Sequence, residues 1–73
     1  MIIITGASRG LGRTIAGHLI DQGHDVFGLA RNVEDCPFPS MVCDVSDPDS
    51  VKAASKAVKK LKKPVTALIN AAV

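Results

Sequence analysis

The segment Thr5-Gly6-Ala7-Ser8-Arg9-Gly10-Leu11-Gly12 follows directly on the apolar run Ile2-Ile3-Ile4. A glycine-rich turn of this kind, set between a buried strand and a helix, has the chemistry to hold phosphate. The helix presents its unpaired amino-terminal N–H groups and its positive dipole end to an anion. Gly6 permits a tight bend out of the strand, Gly10 removes a side chain where a pyrophosphate must approach the backbone, and Gly12 lets the helix pack close to the strand. Ser8 adds a hydroxyl donor to the loop. The spacing G-x-x-x-G-x-G departs from the G-x-G-x-x-G dinucleotide fingerprint, so the glycines alone match that general rule weakly.

A second set of residues bears on which nucleotide this turn would take. An acidic side chain about 20 residues after the glycine loop is the usual partner of an unphosphorylated ribose. Ala30-Arg31-Asn32 stands there instead. A guanidinium forms paired, charge-assisted hydrogen bonds with phosphate, so Arg31 favours a 2′-phosphate and hence NADP over NAD. Arg9 is placed to close on the same phosphate from the other side. Arginines at loop ends are often simply solvated, but the loop around these two favours the phosphate role.

The elements that must position these groups are legible in the hydropathy pattern. Ile2 to Thr5 reads as a strand buried on both faces and therefore central in a sheet. From Gly10 to about Gln22, apolar residues at Leu11, Ile15, Ala16, Leu19 and Ile20 recur at helical spacing, and Gly23 supplies the stop. Val26, Phe27 and Leu29 make a second strand. Asn32 to Pro39 holds two prolines and reads as a loop, where a doubly wound protein often has a helix. Met41 to Cys43 is a short third strand. Ser46 or Asp47 then caps a second helix with Pro48 in its first turn, lined on one face by Val51, Ala54, Val58 and Leu61. Val65 to Ile69 make a fourth strand. Strands alternating with crossovers imply an α/β fold with a parallel sheet in the order 3-2-1-4 and one main helix on each face. The glycine loop then opens onto the crevice where the strand order reverses.

The chain has 73 residues, a net charge of +2, and neither tyrosine nor tryptophan. That length allows one domain, spanning 1–73, with a small core. No apolar run is long enough for a membrane span, and Met1 leads into a strand without the pattern of a signal peptide. Cys36 and Cys43 have no matching ligand set, so neither zinc nor a disulfide framework is indicated, and a reducing cytoplasm is the expected compartment. Lys52, Lys56, Lys59, Lys60, Lys62 and Lys63 form a basic stretch. With only Phe27 and Phe38 available for base stacking, it reads as a solvated helix face and not as a nucleic-acid surface. His18 and His24 read as surface residues without metal-ligand spacing.

The whole octet is more specific than its glycines. TGASRGLG resembles the T-G-x-x-x-G-x-G cofactor signature of the short-chain dehydrogenase/reductase family, so a partial Rossmann fold is expected. The resemblance implies that Gly6, Ser8, Arg9, Gly10, Leu11 and Gly12 belong to the cofactor-binding site, and the pairing of Arg9 with Arg31 is similar to that in NADP-preferring members. It implies that the Asp44 carboxylate accepts from the exocyclic amine of adenine while the N–H of Val45 donates to the ring. Asn70-Ala71-Ala72 resembles the family's N-[NA]-A-G segment, which lines the adenosine side and helps hold the central strands together; Val73 stands where the family has glycine.

The resemblance covers essentially the whole chain but corresponds only to the amino-terminal part of the family's domain. The family's proton-donating tyrosine, in a Y-x-x-x-K motif, lies beyond that part. No catalytic residue is therefore assigned here, and the chain alone is expected to be inactive. The expected function is the NADP(H)-binding portion of an oxidoreductase acting on carbonyls or alcohols. A stand-alone nucleotide-binding or assembly module is the alternative. The fourth strand would present an apolar edge with unpaired backbone groups, which leads to an expected homo-oligomer.

Overall fold

A computed structural model describes residues 1–8, 10–34 and 36–71. Along the chain it runs β1 (Ile2–Thr5), α1 (Gly10–Asp21), β2 (Val26–Ala30), β3 (Ser40–Val42), α2 (Pro48–Lys60) and β4 (Ala67–Asn70). The four strands form one sheet in the order β3-β2-β1-β4, and every pairing is parallel. This is the expected partial Rossmann arrangement, with β1 flanked by β2 and β4.

Side chains of β1 alternate between two apolar layers. Ile4 points into one with Ala7, Ala16, Val26 and Phe38, and Ile15 and Leu19 of α1 pack against it. Ile3 points into the other with Leu29, Cys43 and Ala54, and Val58 of α2 packs there. The two helices therefore cover opposite faces of the sheet. Ile4 is fully buried, and burial of such a side chain contributes about 3 kcal/mol. Cys36 packs against the first layer and Cys43 lies in the second, and both thiols are free.

Some boundaries differ from the expected ones. β3 spans Ser40–Val42 where Met41 to Cys43 is expected, because Ser40 pairs with Gly28 while Cys43 has left the ladder, its N–H donating to the Ala30 carbonyl at 2.8 Å. β4 spans Ala67–Asn70 in place of Val65 to Ile69, set by its register against Ile2 to Thr5. Of the expected apolar stripe on α2, Ala54 and Val58 reach the core, whereas Val51 and Leu61 stay exposed. Between β2 and β3 no helix forms among the described residues. Phe38 from this connection fills the space over Gly28, where a Cβ would come within 2.7 Å of its ring and 2.9 Å of Ala7.

The helix starts differ in a way that matters for the site. Asp47 caps α2, its carboxylate accepting from the Asp49 N–H at 3.1 Å, with Pro48 in the first turn. α1 has no acidic residue in its first turn. Its interior Gly17 has open space around the position a Cβ would take. Alanine there keeps the helix and removes glycine's entropic cost, so Gly17→Ala is expected to raise stability by about 0.8–1 kcal/mol. The denaturation midpoint, followed by circular dichroism, measures this.

Candidate functional site

All four strands point their carboxyl ends at one edge of the sheet, and there the loops that follow β1, β2, β3 and β4 enclose a cleft of about 760 Å³. Its size lies within the range of small-molecule sites. Each wall is built from a different loop. The loop after β1 contributes Gly6 and Ser8; the end of β2 contributes Leu29 and Ala30, followed by Arg31 and Asn32; the turn after β3 contributes Cys43, Asp44, Val45 and Ser46; and Ala71 follows β4.

The β1–α1 loop is shaped by its glycines. Gly6 has φ 65° and Gly10 φ 62°, both in the left-handed region. Directly after Gly6, Ala7 is fully buried and its N–H donates to the Leu29 carbonyl at 3.4 Å. Gly12 lies beneath this loop. A Cβ there would overlap the carbonyl oxygen of Gly6 and come within 3.2 Å of Ala71. Gly12 thus sets the distance between α1 and the loop without lining the cleft. Gly10 and Leu11 also lie outside the lining, and the Leu11 side chain is 70% exposed.

At the end of β4 the Asn70 side chain faces β1. Its Oδ1 accepts from Thr5 Oγ1 at 2.6 Å, and next to it the Ala71 N–H donates to the Thr5 carbonyl at 3.2 Å. Asn70 is thereby committed to joining the two central strands, and Ala71 is the residue of this segment that reaches the cleft. Arg9 and Ala72 lie outside the described residues.

Charge within the cleft comes from Arg31 and Asp44. Arg31 is exposed, and among the described residues the one ion pair is Lys63 to Asp25, at 2.8 Å on the far side of the sheet. Among the described residues, no carboxylate forms an ion pair with the Arg31 guanidinium. Asp44 is held by its neighbours: its Oδ1 accepts from Ser46 Oγ at 2.7 Å and from the Ser46 N–H at 3.0 Å, while its own N–H donates to Ser50 Oγ at 2.9 Å. The two Ser46 hydrogen bonds hold the Asp44 carboxyl below its ordinary pKa, and the nearby Arg31 charge lowers it further. A depressed native pKa stabilises the fold fully above the unfolded value, about pH 4, and this contribution is lost as pH falls through the native value. The Asp44 carboxyl resonance is therefore expected to titrate below that of a free aspartate, and Ser46→Ala is expected to move it upward.

Sequence reasoning finds Gly6, Ser8, Arg31, Asp44, Val45 and Ala71 of this lining. It misses Leu29, Ala30, Asn32, Cys43 and Ser46. A serine two places after an aspartate at a strand end is a turn signal that points to Ser46; Ser50 becomes visible only through its side-chain hydrogen bond.

Residues 1–73 match the family model described as short chain dehydrogenase. The chain belongs to the short-chain dehydrogenase family. It is 34% identical over 71 residues to the 3-oxoacyl-[acyl-carrier-protein] reductase MabA of Mycobacterium tuberculosis, covering 94% of this chain and 28% of that one. It is 32% identical over 80 residues to a "probable NADP-dependent dehydrogenase" of Dichelobacter nodosus, covering 96% of this chain and 74% of that one. The ligand-free aldohexose dehydrogenase of Thermoplasma acidophilum superposes with a TM-score of 0.84 at 36% identity, over 97% of this chain and 29% of that enzyme. The chain thus spans under a third of MabA and of the aldohexose dehydrogenase, and 7% of a longer uncharacterized mycobacterial relative. Short-chain dehydrogenases use nicotinamide dinucleotide cofactors.

The cleft has features that suit such a cofactor. A turn without a Cβ at Gly6, the N-terminal turn of α1 without an acid, and an Arg31 guanidinium that forms no ion pair among the described residues together offer donors and positive charge suited to phosphate. Among the described residues, no helix is long and apolar enough to cross a membrane, and no cluster of side chains is suited to a metal.

Proposed function

We propose that this chain is the NADP(H)-binding portion of a short-chain dehydrogenase acting in the cytoplasm, its parent activity being carbonyl reduction or alcohol oxidation. The observation that carries the reading is Arg31, exposed and, among the described residues, without an ion-paired carboxylate, in the same cleft as Gly6 and Ser8 of the glycine loop. A 2′-phosphate gives that guanidinium its missing anion. The Dichelobacter relative, described as a "probable NADP-dependent dehydrogenase", agrees with this preference.

Each part of the cleft has a task in this reading. The amino-terminal N–H groups of α1 and the loop from Gly6 to Gly12 take the pyrophosphate, with Ser8 as a further donor. Arg31, joined by Arg9, takes the 2′-phosphate. Asp44 and Val45 take the base, and Ala71 with Ala72 lines the adenosine side, while Asn70 supports that segment from behind through Thr5. When bound, the cofactor supplies hydride at its nicotinamide. Proton delivery to the substrate oxygen needs a donor, and the family's tyrosine has no counterpart in a chain without tyrosine. These 73 residues therefore bind the cofactor and do not turn over substrate alone. Titration with NADP, NAD and 2′,5′-ADP tests the reading: binding that depends on the 2′-phosphate supports it. Absence of binding by all three favours a non-catalytic assembly module.

We also propose that the outer edge of β4 pairs with a second copy of the chain. The strand is an edge of the sheet, most of its residues are exposed, and Leu68 is 66% exposed. Such an edge presents unpaired backbone groups beside apolar side chains. Light scattering is expected to give a mass above that of the monomer that rises with concentration, and Leu68→Lys is expected to return it to monomer. A concentration-independent monomer mass contradicts this.

A further inference from the structure

We propose that Ser46 and Ser50 are positioning residues that set the Asp44-Val45 segment to read a 6-aminopurine in preference to a 6-oxopurine. The proposal rests on the reading of the cleft as a dinucleotide site and goes beyond it, to the residues that give that site its choice of base.

The hydrogen bonds leave a specific pair of groups free. Ser46 donates twice to Asp44 Oδ1, from Oγ at 2.7 Å and from N at 3.0 Å. Ser50, in the first turn of α2, accepts the Asp44 N–H at 2.9 Å. Among the described residues nothing donates to Asp44 Oδ2, and nothing accepts from the Val45 N–H. Both residues line the cleft. The segment therefore offers one acceptor and one adjacent backbone donor, held from both ends by serine hydroxyls.

Adenine presents the complementary pattern, with a donor at its exocyclic amine and an acceptor at the neighbouring ring nitrogen. Hypoxanthine presents the reverse, an oxo acceptor beside a ring N–H. With it, the carboxylate would face an oxygen and the Val45 N–H would face another N–H. Like groups set against each other lose both hydrogen bonds, which is how a site built for hydrogen bonding rejects a close analogue. Fixing Oδ1 on Ser46 matters because an untethered carboxylate would be free to turn and meet either base.

The test is calorimetric titration of the 73-residue chain and its variants with two probes, 2′,5′-ADP and the corresponding hypoxanthine nucleotide. The native chain is expected to bind the adenine compound at least tenfold more tightly. Ser46→Ala is expected to lower that preference by about fivefold to tenfold, chiefly by weakening the adenine compound, and Ser46→Thr is expected to restore it. Ser50→Ala, which frees the other end of the segment, is expected to act in the same direction. Thermal melts of each variant separate loss of fold from loss of preference. Equal affinity of the native chain for both probes overturns the proposal while leaving the phosphate cradle standing. An equal loss for both probes in Ser46→Ala overturns it as well. Binding of neither probe removes the cradle reading and this proposal with it.

Discussion

Gly12→Ala is expected to destabilise the protein by about 3 kcal/mol or more and to abolish nucleotide binding. In an ordinary exposed helix, glycine to alanine is stabilising. Here the sign reverses, because the added Cβ overlaps the Gly6 carbonyl oxygen, a backbone atom in a loop that is itself packed against the core through Ala7. Neither side yields easily. Moving Gly6 displaces a left-handed turn, and moving α1 pulls Ala16 out of the layer around Ile4. At roughly 0.05–0.15 kcal/mol per residue, a domain of this size has about 4–11 kcal/mol in total, so the loss is a large share of its stability. Denaturant midpoints of the native chain, Gly12→Ala and Gly17→Ala provide the comparison. The same substitution on the same helix is expected to move the midpoint in opposite directions at the two sites.

Arg31→Ala is expected to weaken NADP binding by about 10-fold to 100-fold, the worth of one charge-assisted contact of about 1.5–3 kcal/mol, and to leave NAD binding nearly unchanged. The side chain is exposed and outside both apolar layers, so the fold is unaffected. Arg31→Lys is expected to recover only part of the loss, since an ammonium keeps the charge and loses the paired geometry of the guanidinium. Parallel titrations with NADP and NAD separate this outcome from a general loss of affinity. Raising the salt concentration should narrow the difference between the native chain and the variant, because an exposed charge contact is screened.

The order and type of the elements are legible because local signals agree with one another. Gly23 stops α1, Asp47 and Pro48 start α2, and Ile2 to Ile4, a short β-branched run without polar alternation, reads as a strand covered on both faces. The boundaries of β3 and β4 are less legible because pairing decides them. Ser40 has little strand preference but meets Gly28 across the ladder, whereas Val65 has high preference and no partner there. Half of the site follows the same division. Gly6, Ser8 and Arg31 announce themselves by type and position. Ser46 and Ser50 act through side-chain hydrogen bonds to Asp44, and those depend on how a turn and a helix start approach each other. Asn70 carries a familiar motif, yet its side chain serves Thr5 and not the cleft wall, a distinction that spacing does not encode.

In the proposed function, the cleft between the glycine loop and Arg31 binds a nucleotide through its 2′-phosphate. Titration of the unmodified chain with 2′,5′-ADP and with 5′-ADP measures this directly. Tighter binding of 2′,5′-ADP by at least tenfold, falling with added salt, is the predicted result. Equal binding of the two compounds, or tighter binding of the one without a 2′-phosphate, would contradict it.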